Sequence, residues 1–363
     1  MKNTYGNNLT LTLFGESHGA AIGAVLDGMA AGIAVDEEFI KSQLNKRRAA
    51  DEISTARKEA DEVKILSGVY NGHTTGTPIC FVIENKDTKS KDYSDTYGKA
   101  RPGHADYTAF IKYGGNEDFR GGGHFSGRIT APIVAAGALV ISALSKKGIC
   151  IGTHIKECAG APDRAFEDLS EDISALNNRT FAVLDETKGE KMRENILKAK
   201  EEGDSVGGIL ETAVIGMPAG AGEPWFDTVE GLLSHGLFSI PAVKGVEFGA
   251  GFAFADMKGS EANDSFVAHN QTITTVTNNN GGINGGITNG MPLIFSCVVK
   301  PTPSICKSQQ TVDFVKGENV TLNIKGRHDP CIVHRARVVV DSITALTLAD
   351  ILIGRYGTDY LKD

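Results

Sequence analysis

The sequence predicts an α+β fold, a layered β-α-β sandwich that forms one large domain. Predicted strands and helices interleave along the 363 residues without forming repeated βαβ units, which disfavours a doubly wound sheet. Residues 129–145 carry no charge and are fewer than the ~20 that span a bilayer, so they predict a buried core helix. No linker rich in proline or serine and no internal repeat divides the chain. We therefore expect a single domain over residues 1–363.

The individual elements follow from hydrophobic periodicity and capping residues. Leucine and threonine alternate over residues 9–13, as is typical of a half-buried strand. Asp36, followed by two glutamates, predicts the start of a helix that ends near Arg48. Residues 86–128 predict a long functional loop region. The predicted strands cover residues 9–13, 21–26, 65–69, 78–83, 210–215 and 293–299, with a turn at Asn71-Gly72, and the other predicted helices cover residues 190–202 and 338–353.

Charge and cysteine usage limit the classes of protein that fit. The net charge of −8 argues against nucleic acid and anionic membranes as partners, since both require a basic surface. Six scattered cysteines without a C-x-x-C pair predict reduced, buried thiols. The first residues do not resemble a signal peptide, so we expect a cytoplasmic protein.

Arginine and glycine are unevenly used. Nine of the thirteen arginines fall within residues 47–57, 101–128 and 327–337. The 43 glycines make up about 12% of the chain, against about 7% in ordinary proteins. Glycine is common where the backbone bends sharply or approaches a ligand closely. These features predict basic pockets for phosphorylated small molecules.

The first motif, GESHG at residues 15–19, matches the Gly-x-Ser-x-Gly pattern of serine hydrolases. That pattern requires a helix after the serine, whereas residues 21–26 predict a strand, which argues against a hydrolase acting through Ser17. His18 is the more interesting residue, because a histidine on a glycine-flanked loop is sterically open and histidines ordinarily titrate near neutrality. The alternative for His18 is a structural role in a turn.

Arg47 and Arg48 end the first predicted helix, and two interpretations stay open. Basic residues at this position complement the helix dipole. They are also suited to binding a phosphate or carboxylate through paired hydrogen bonds, for which arginine is better than lysine.

Two glycine-containing segments predict proton transfer beside an anion site. In RPGHAD, residues 101–106, Asp106 can orient the imidazole of His104 and set its tautomer. In DFRGGGHFSGR, residues 118–128, successive glycines expose backbone N–H groups that can bind an anion.

Positive charge and a helix terminus support that anion site. Arg120, His124 and Arg128 lie in the second segment, and the helix predicted from residue 129 begins directly after it. The alternative is a flexible loop with solvated arginines.

The C-terminal third adds two more candidate segments. KPTPS, residues 300–304, emerges at the end of a predicted strand, and GRHDPC, residues 326–331, brings a cation, an imidazole and a carboxylate together. A metal site at His328 and His334 lacks a recognised ligand spacing and is rejected. The chain contains neither a Walker nor a Rossmann glycine motif, so these do not hold its ligand.

Taken together, these segments resemble the chorismate synthase family, in the family's order and over nearly the whole chain. The resemblance implies the loss of phosphate and a C6 hydrogen from 5-enolpyruvylshikimate 3-phosphate, with reduced FMN as cofactor and NADPH as a possible flavin reductant. It also implies a homotetramer. The matching stretches are residues 14–19, 66–69, 74–76, 101–108, 112–114, 120–130, 135–138, 239–247, 300–304 and 326–331.

The resemblance further implies residue roles. His18 would protonate the departing phosphate, His104 would donate to the reduced flavin, and Asp329 would relay the C6 proton. Arg47 also matches a position linked to NADPH. The implied substrate-binding residues are Ser17, Arg47, Arg48, Arg128 and Arg327. The implied cofactor-binding residues are Arg47, His124, Phe125, Ser126, Pro241, Ala242, Gly285, Lys300, Pro301, Thr302, Pro303, Ser304 and Arg327.

Two segments depart from the family pattern, and two other functions stay open. The usual Arg-Arg-Pro-Gly reads RAAD at residues 48–51, which affects the expected substrate or NADPH contacts of that loop. The usual Gly-Arg-Ser-Ser-Ala-Arg reads GHFSGR at residues 123–128, and His124 in place of arginine is expected to make flavin phosphate binding more pH-dependent. A flavin carrier without catalysis would need the arginines but not both histidines and the aspartate. A serine hydrolase would depend on Ser17.

Overall fold

Two antiparallel five-stranded sheets enclose a layer of helices in the computed structural model, which describes residues 2–48, 52–54, 61–86, 97–324 and 329–362. The strands are β1 (Thr4–Tyr5), β2 (Thr10–Gly15), β3 (Ala21–Asp27), β4 (Val63–Ser67), β5 (Val69–Tyr70), β6 (His73–Thr74), β7 (Ile79–Glu84), β8 (Cys150–Cys158), β9 (Ala161–Pro162), β10 (Gly208–Ile215), β11 (Val243–Phe248), β12 (Phe266–His269), β13 (Thr272–Thr275), β14 (Ile283–Asn284), β15 (Ile287–Thr288), β16 (Leu293–Val299), β17 (Gln309–Asp313) and β18 (Glu318–Leu322). The helices are α1 (Glu37–Arg47), α2 (Asp106–Tyr113), α3 (Thr130–Lys146), α4 (Leu169–Asn177), α5 (Glu186–Glu201), α6 (Val229–Ser239), α7 (Gly259–Ala262) and α8 (Val333–Tyr356).

The sheets keep a regular antiparallel register. The first has the order β1-β2-β3-β7-β4, and the second has the order β11-β16-β10-β8-β9. The pairs β5-β6, β12-β13, β14-β15 and β17-β18 form separate two-stranded ribbons. Each of the six predicted strands overlaps one or two of these strands.

The helical layer carries the core. α3 packs on β3 and β7 of the first sheet, α8 packs on β8 and β10 of the second, and the two helices pack against each other. Their crossing is close, because a Cβ on Gly137 would lie 2.3 Å from the Cβ of Ser342. Residues 127–146 are apolar enough to cross a membrane, with a mean hydropathy of 1.7, but 78% of that stretch is buried within the fold. The predicted α+β layered sandwich and its buried core helix are thus confirmed.

Some boundaries differ from prediction for local reasons. α5 begins at Glu186, earlier than expected, because the Asp185 side chain accepts hydrogen bonds from the first-turn amides. The expected strand over residues 65–69 is interrupted at Gly68, whose φ is +80°, and Asn71-Gly72 instead turns the short β5-β6 ribbon. The predicted loop over residues 86–128 contains a regular helix, α2, in its described part.

The cysteines only partly match expectation. All six are free thiols, as predicted. Burial holds for Cys158, Cys297 and Cys331, whereas Cys306 is exposed and the other two are half-buried. The prediction of uniformly buried thiols is therefore wrong.

Candidate active site

A cavity of about 760 Å³ opens where the ends of several elements meet. Its walls come from the end of α1, the turns before α3, the junction of α6 with β11, the segment after β16 and the start of α8. The volume is in the range of small-molecule sites. Among its described walls, two carboxylates, Asp61 and Asp329, face six basic side chains. These are Arg47, Arg48, Arg128, Lys244, Lys300 and Arg335.

Asp61 joins two of the arginines. Its carboxylate accepts hydrogen bonds from Arg47 and Arg128, and its side chain is fully buried. Burial alone would raise the pKa of Asp61, but the two guanidinium groups outweigh it and hold that pKa below its ordinary value. Arg128 also donates from Nε to Oδ1 of Asn85, 3.0 Å away. The arginines at the end of α1 and before α3 are therefore held in fixed places by one carboxylate.

Arg47 and Arg48 differ in environment. Arg47 is only 6% exposed, and its Nε has no hydrogen-bond partner among the described residues. Arg48 is half-buried, and it donates from Nη1 to Oδ1 of Asn45 over 3.0 Å. A buried, unpaired guanidinium N–H in a cavity wall is suited to receiving an anion. Of the two interpretations, this geometry favours anion binding at Arg47 over a purely dipolar role.

Consecutive glycines separate the two candidate histidines. A Cβ on Gly121 would lie 2.2 Å from Cε1 of His18, and a Cβ on Gly122 would lie 3.3 Å from Cε1 of His104. Both glycines have positive φ, +60° and +85°. Glycine is thus required at position 121 for His18 to occupy its place beside the cavity.

His18 is not the accessible histidine that its glycine neighbours predict. It is 7% exposed, and Gly121 rather than His18 forms the cavity wall there. The imidazole lies under the glycine turn, because residues 120–123 fold back over the β2-β3 turn, where Ser17 N donates to the carbonyl of Gly123.

Hydrogen bonds set the tautomer of each histidine. His104 Nδ1 lies 2.7 Å from Oδ1 of Asp106, which can only accept, and 3.1 Å from Nη2 of Arg101, which can only donate. The shorter contact with the carboxylate favours the proton on Nδ1. Burial acts to raise the pKa of Asp106, but Arg101 and His104 together hold it well below its ordinary value. The role predicted for Asp106 in orienting His104 matches this contact.

Ser17 performs the equivalent task for His18. Its Oγ lies 3.2 Å from the carbonyls of Arg120 and Gly121 and 3.2 Å from Nδ1 of His18. When the hydroxyl donates to either carbonyl, it accepts from the imidazole, and Nδ1 of His18 carries the proton. In their neutral forms both histidines therefore carry the ring proton on Nδ1 and not on Nε2.

Some side chains of the turn before α3 line the cavity, and others form contacts outside it. His124, Phe125 and Ser126 line the cavity, and His124 donates from Nδ1 to the carbonyl of Gly15 over 2.8 Å. Arg120 instead forms a two-pronged ion pair with Asp118, with both contacts at 2.8 Å, and does not line the cavity. The predicted contribution of Arg120 to the anion site is therefore wrong.

Asp329 lines the cavity just before α8. Its Oδ2 accepts a hydrogen bond from Nη1 of Arg335 at 2.6 Å. Nε of the same arginine donates to the carbonyl of Arg47 at 2.8 Å. The candidate base and the end of α1 are thus joined through one guanidinium group.

Comparison with known proteins identifies the family of this chain. The sequence model of the chorismate synthase family matches residues 9–353. The chain belongs to the chorismate synthase family. It is accordingly an enzyme, and its class is that of the lyases.

Full-length relatives agree with the family assignment. The chorismate synthase of Thermococcus gammatolerans is 47% identical over 350 residues, covering 96% of this chain and 97% of the relative. That of Dehalococcoides mccartyi strain BAV1 is 46% identical over 356 residues, covering 97% of both chains. A crystal structure of a chorismate synthase is 29% identical, has a TM-score of 0.77 and covers 97% of this chain and 94% of that one. The predicted family and fold class are confirmed.

Most residues implied by the family resemblance meet at the cavity. Pro241, Ala242, Lys300, Thr302, Pro303 and Ser304 line it together with the residues described above. Lys300 N donates to the carbonyl of Ala242 at 2.9 Å, and Lys300 Nζ donates to the carbonyl of Gly103 at 2.6 Å. Oγ1 of Thr302 is buried and has no hydrogen-bond partner among the described residues.

Other implied residues lie elsewhere. Gly285 is exposed in the turn between β14 and β15, away from the cavity wall, and Pro301 lies between two lining residues without lining the cavity itself. Arg327 and the departing residues 49–51 are outside the described part of the chain. Ser17 does not line the cavity and instead contacts Nδ1 of His18. The element that follows it is the strand β3, whereas the serine of a hydrolase is followed by a helix.

Three important lining residues were not predicted as site residues. Asp61 has partners that are 14 and 67 residues away in sequence, so no local motif marks it. Lys244 lies in a family-like stretch but carries no separate signal. Arg335 lies shortly after residues 326–331, and this proximity is the signal that could have predicted it. The same signal would have included Arg337, which is instead buried and paired with Asp341.

Proposed function

We propose that this enzyme catalyses the 1,4-elimination of phosphate from 5-enolpyruvylshikimate 3-phosphate, giving chorismate, with reduced FMN as cofactor. The single observation that carries the proposal is the placement of two histidines beside a strongly basic cavity. His18 and His104 lie against the adjacent glycines 121 and 122 of the turn that borders this cavity, and a hydrogen bond at Nδ1 orients each imidazole. The substrate and the cofactor of this reaction both carry phosphate, and the six basic side chains of the cavity are suited to binding phosphate groups.

The residues of the cavity fit a phosphorylated cofactor. The buried Nε of Arg47 and the buried Oγ1 of Thr302 have no hydrogen-bond partners among the described residues, so a ligand can satisfy them. We assign cofactor binding to the two walls formed by residues 124–126 with 241–242 and by residues 300–304. Reduced FMN, held by these residues, would supply the reversible one-electron chemistry that the loss of the allylic phosphate and the C6 hydrogen requires.

The protein's own residues divide the proton work. His18 gives the proton on Nε2 to the departing phosphate, since Ser17 occupies its Nδ1. His104, fixed by Asp106, holds a proton on Nε2 for the reduced cofactor. Asp329, a carboxylate held by Arg335, accepts the C6 proton. The hydrogen bond from Arg335 fixes the orientation of this carboxylate in the cavity wall.

Substrate binding falls to the arginines around Asp61. Arg47, Arg48 and Arg128 lie on one side of the cavity, and the ion pairs of Asp61 orient two of them before any ligand arrives. Preorganised guanidinium groups lose little conformational entropy when they bind an anion. We therefore assign the phosphate and carboxylates of the substrate to this side.

One anaerobic assay tests the proposal. Purified protein, photochemically reduced FMN and the enolpyruvyl substrate should give phosphate and chorismate in equal amounts. His18→Ala and His104→Ala should each lower kcat by about 10²–10⁴-fold, while His104→Ala still binds FMN in a fluorescence titration. A flavin carrier would bind FMN and form no product. A hydrolase would require Ser17 and not His18.

We further propose that NADPH can reduce the flavin in this cavity, with Arg47 as its contact. The same assay with NADPH in place of light tests this point. Chorismate formation would support it, and dependence on an external reductant would oppose it.

We also propose a homotetramer. Its support is the exposure of large apolar side chains, since such surface is unusual on a monomer. Trp225 and Phe226 are 85% and 95% exposed, and Phe252 is 82% exposed. The number of four subunits follows from the family resemblance. Light scattering after size exclusion tests it, and a mass other than that of four subunits would contradict it.

A further inference from the structure

Two buried thiols meet beside the active-site cavity. Sγ of Cys158 and Sγ of Cys331 are 3.6 Å apart, and the two residues are 1% and 0% exposed. Cys331 lies two residues after Asp329, and its neighbour Ile332 lines the cavity. The proposed elimination gives no task to either thiol.

The two cysteines differ in how firmly the fold holds them. Cys158 is the last residue of β8 and pairs with Gly208 in β10 and with Ala161 in β9. Cys331 lies in the irregular segment before α8, between the carbonyl of Pro330, which accepts from Val206 N at 2.8 Å, and the carbonyl of Ile332, which accepts from two amides of α8. Because Cys331 is outside any strand or helix, we expect residues 329–331 to move more readily than the end of β8 when the distance between the sulfurs changes.

The two thiols have different surroundings. The hydrogen bond with Cys158 lowers the pKa of Cys331, burial opposes that effect, and His334 on the first turn of α8 lowers the pKa further. For Cys158, the hydrogen bond with Cys331 and burial both raise the pKa. This difference favours Cys331 as the attacking thiolate and Cys158 as the resolving thiol.

We propose that Cys158 and Cys331 form a reversible disulfide that lowers the activity of the adjacent site. The bond requires a sulfur–sulfur distance of about 2.0 Å, so the sulfurs must approach by about 1.6 Å. That approach pulls the segment before α8 toward the end of β8. The carboxylate of Asp329 then leaves its position against Arg335.

Hydrogen peroxide is a sufficient oxidant for this step. The Cys331 thiolate attacks one peroxide oxygen, the O–O bond breaks, and hydroxide leaves, which takes up a proton to become water. The resulting sulfenic acid is attacked by the Cys158 sulfur, the S–S bond forms, and the S–O bond breaks to release a second water. Two thiols lose two electrons, which the peroxide accepts, and a dithiol such as dithiothreitol reverses the change.

The test begins with the intact enzyme. It is treated with hydrogen peroxide, freed of oxidant and assayed for chorismate formation before and after dithiothreitol. We expect activity to fall about 10-fold or more, since an ångström-scale displacement of a catalytic group has effects of this size, and to return with dithiothreitol. In parallel, peptide mapping without reduction should give one linked pair that contains residues 158 and 331, with the loss of two hydrogen atoms in mass. The mapping requires no activity, so it distinguishes failure of this inference from failure of the proposed reaction.

Matched variants complete the test. Cys158→Ala should keep its activity after peroxide, whereas Cys297→Ala, which removes a different buried thiol, should lose activity as the native enzyme does. Absence of the linked peptide in the native enzyme overturns the proposal. Equal inactivation of native enzyme and Cys158→Ala overturns it too, as does a linked enzyme with undiminished activity. If Cys158→Ala does not fold, the peptide mapping of the native enzyme and the recovery of its activity with dithiothreitol still test the proposal.

Discussion

Arg335 holds the carboxylate of Asp329 at 2.6 Å while its Nε is bonded to the carbonyl of Arg47 at 2.8 Å. One planar guanidinium therefore fixes the spacing between the proposed base and the arginine end of α1. Lysine cannot reproduce this, because a single ammonium lacks the divergent donors of the guanidinium. Arg335 is thus a positioning residue in the proposed reaction.

We predict that Arg335→Ala lowers kcat by about 10²-fold with a smaller change in KM, since a displaced base affects the chemical step more than ground-state binding. Arg335→Lys should recover only part of kcat. Steady-state kinetics with reduced FMN measures both constants. Arg355→Ala, in the last turn of the same helix, is the control and should behave as the native enzyme. Native kcat in Arg335→Ala would contradict the positioning role.

Gly121 offers a second prediction. Gly121→Ala places a methyl group 2.2 Å from the His18 ring, so the imidazole must move, and we expect kcat to fall by about 10²-fold. Gly148→Ala is a matched control, because Gly148 has φ of +75° but open space around it. Both variants should lose about 1 kcal/mol in unfolding free energy from positive φ. Equal kcat in the two variants would show that the Gly121–His18 contact has no catalytic consequence.

The pKa of Asp61 gives a prediction on acid stability. A carboxyl whose pKa is lowered by folding stabilises the fold above its ordinary pKa of about 4, and this contribution is lost as pH falls toward the lowered value. Asp61→Asn should reduce the unfolding free energy at neutral pH by about 3–5 kcal/mol, because two buried arginines lose their counter-charge. Urea unfolding at a series of pH values measures this difference in unfolding free energy.

The difference between native enzyme and Asp61→Asn should narrow below about pH 4. Glu84→Gln, which removes an exposed carboxylate paired with Lys64, is the control and should have a small effect. A difference that stays constant down to strongly acid pH would contradict the assigned role of Asp61.

Local signals predicted much of the fold. The alternation at residues 9–13 and the cap at Asp36 act within one strand or turn, so sequence alone contains them. The uncharged residues 129–145 likewise predicted α3, because a helix buried on all sides leaves no room for charge. Asp106 lies two residues from His104, and its contact was predicted for the same reason.

Long-range geometry could not be predicted in this way. Asp61 acquires its role only when α1 and the turn before α3 converge, and the burial of His18 results from residues 120–123 folding over it. Arg120 was expected in the cavity, but Asp118, two residues earlier, holds it outside. Such competition between nearby partners depends on side-chain directions that spacing alone does not specify.

His154 provides a final prediction, opposite in sign to that for Asp61. Its Nδ1 is 2.9 Å from Asp163 and its Nε2 is 3.1 Å from Glu211, which Lys156 also contacts. Burial acts to lower the pKa of His154, but the two carboxylates prevail and raise it. The charged form of His154 therefore stabilises the fold fully below the ordinary histidine pKa of about 6.5, and this contribution is lost as pH rises through the raised pKa of the folded state.

His154→Gln should remove that pH dependence. In urea titrations the unfolding free energy of the variant should lie furthest below that of the native enzyme near pH 6, and the two values should approach each other at higher pH. The exposed His73→Gln should follow the native curve, and parallel curves for native enzyme and His154→Gln would show that this buried imidazole does not change its charge with folding.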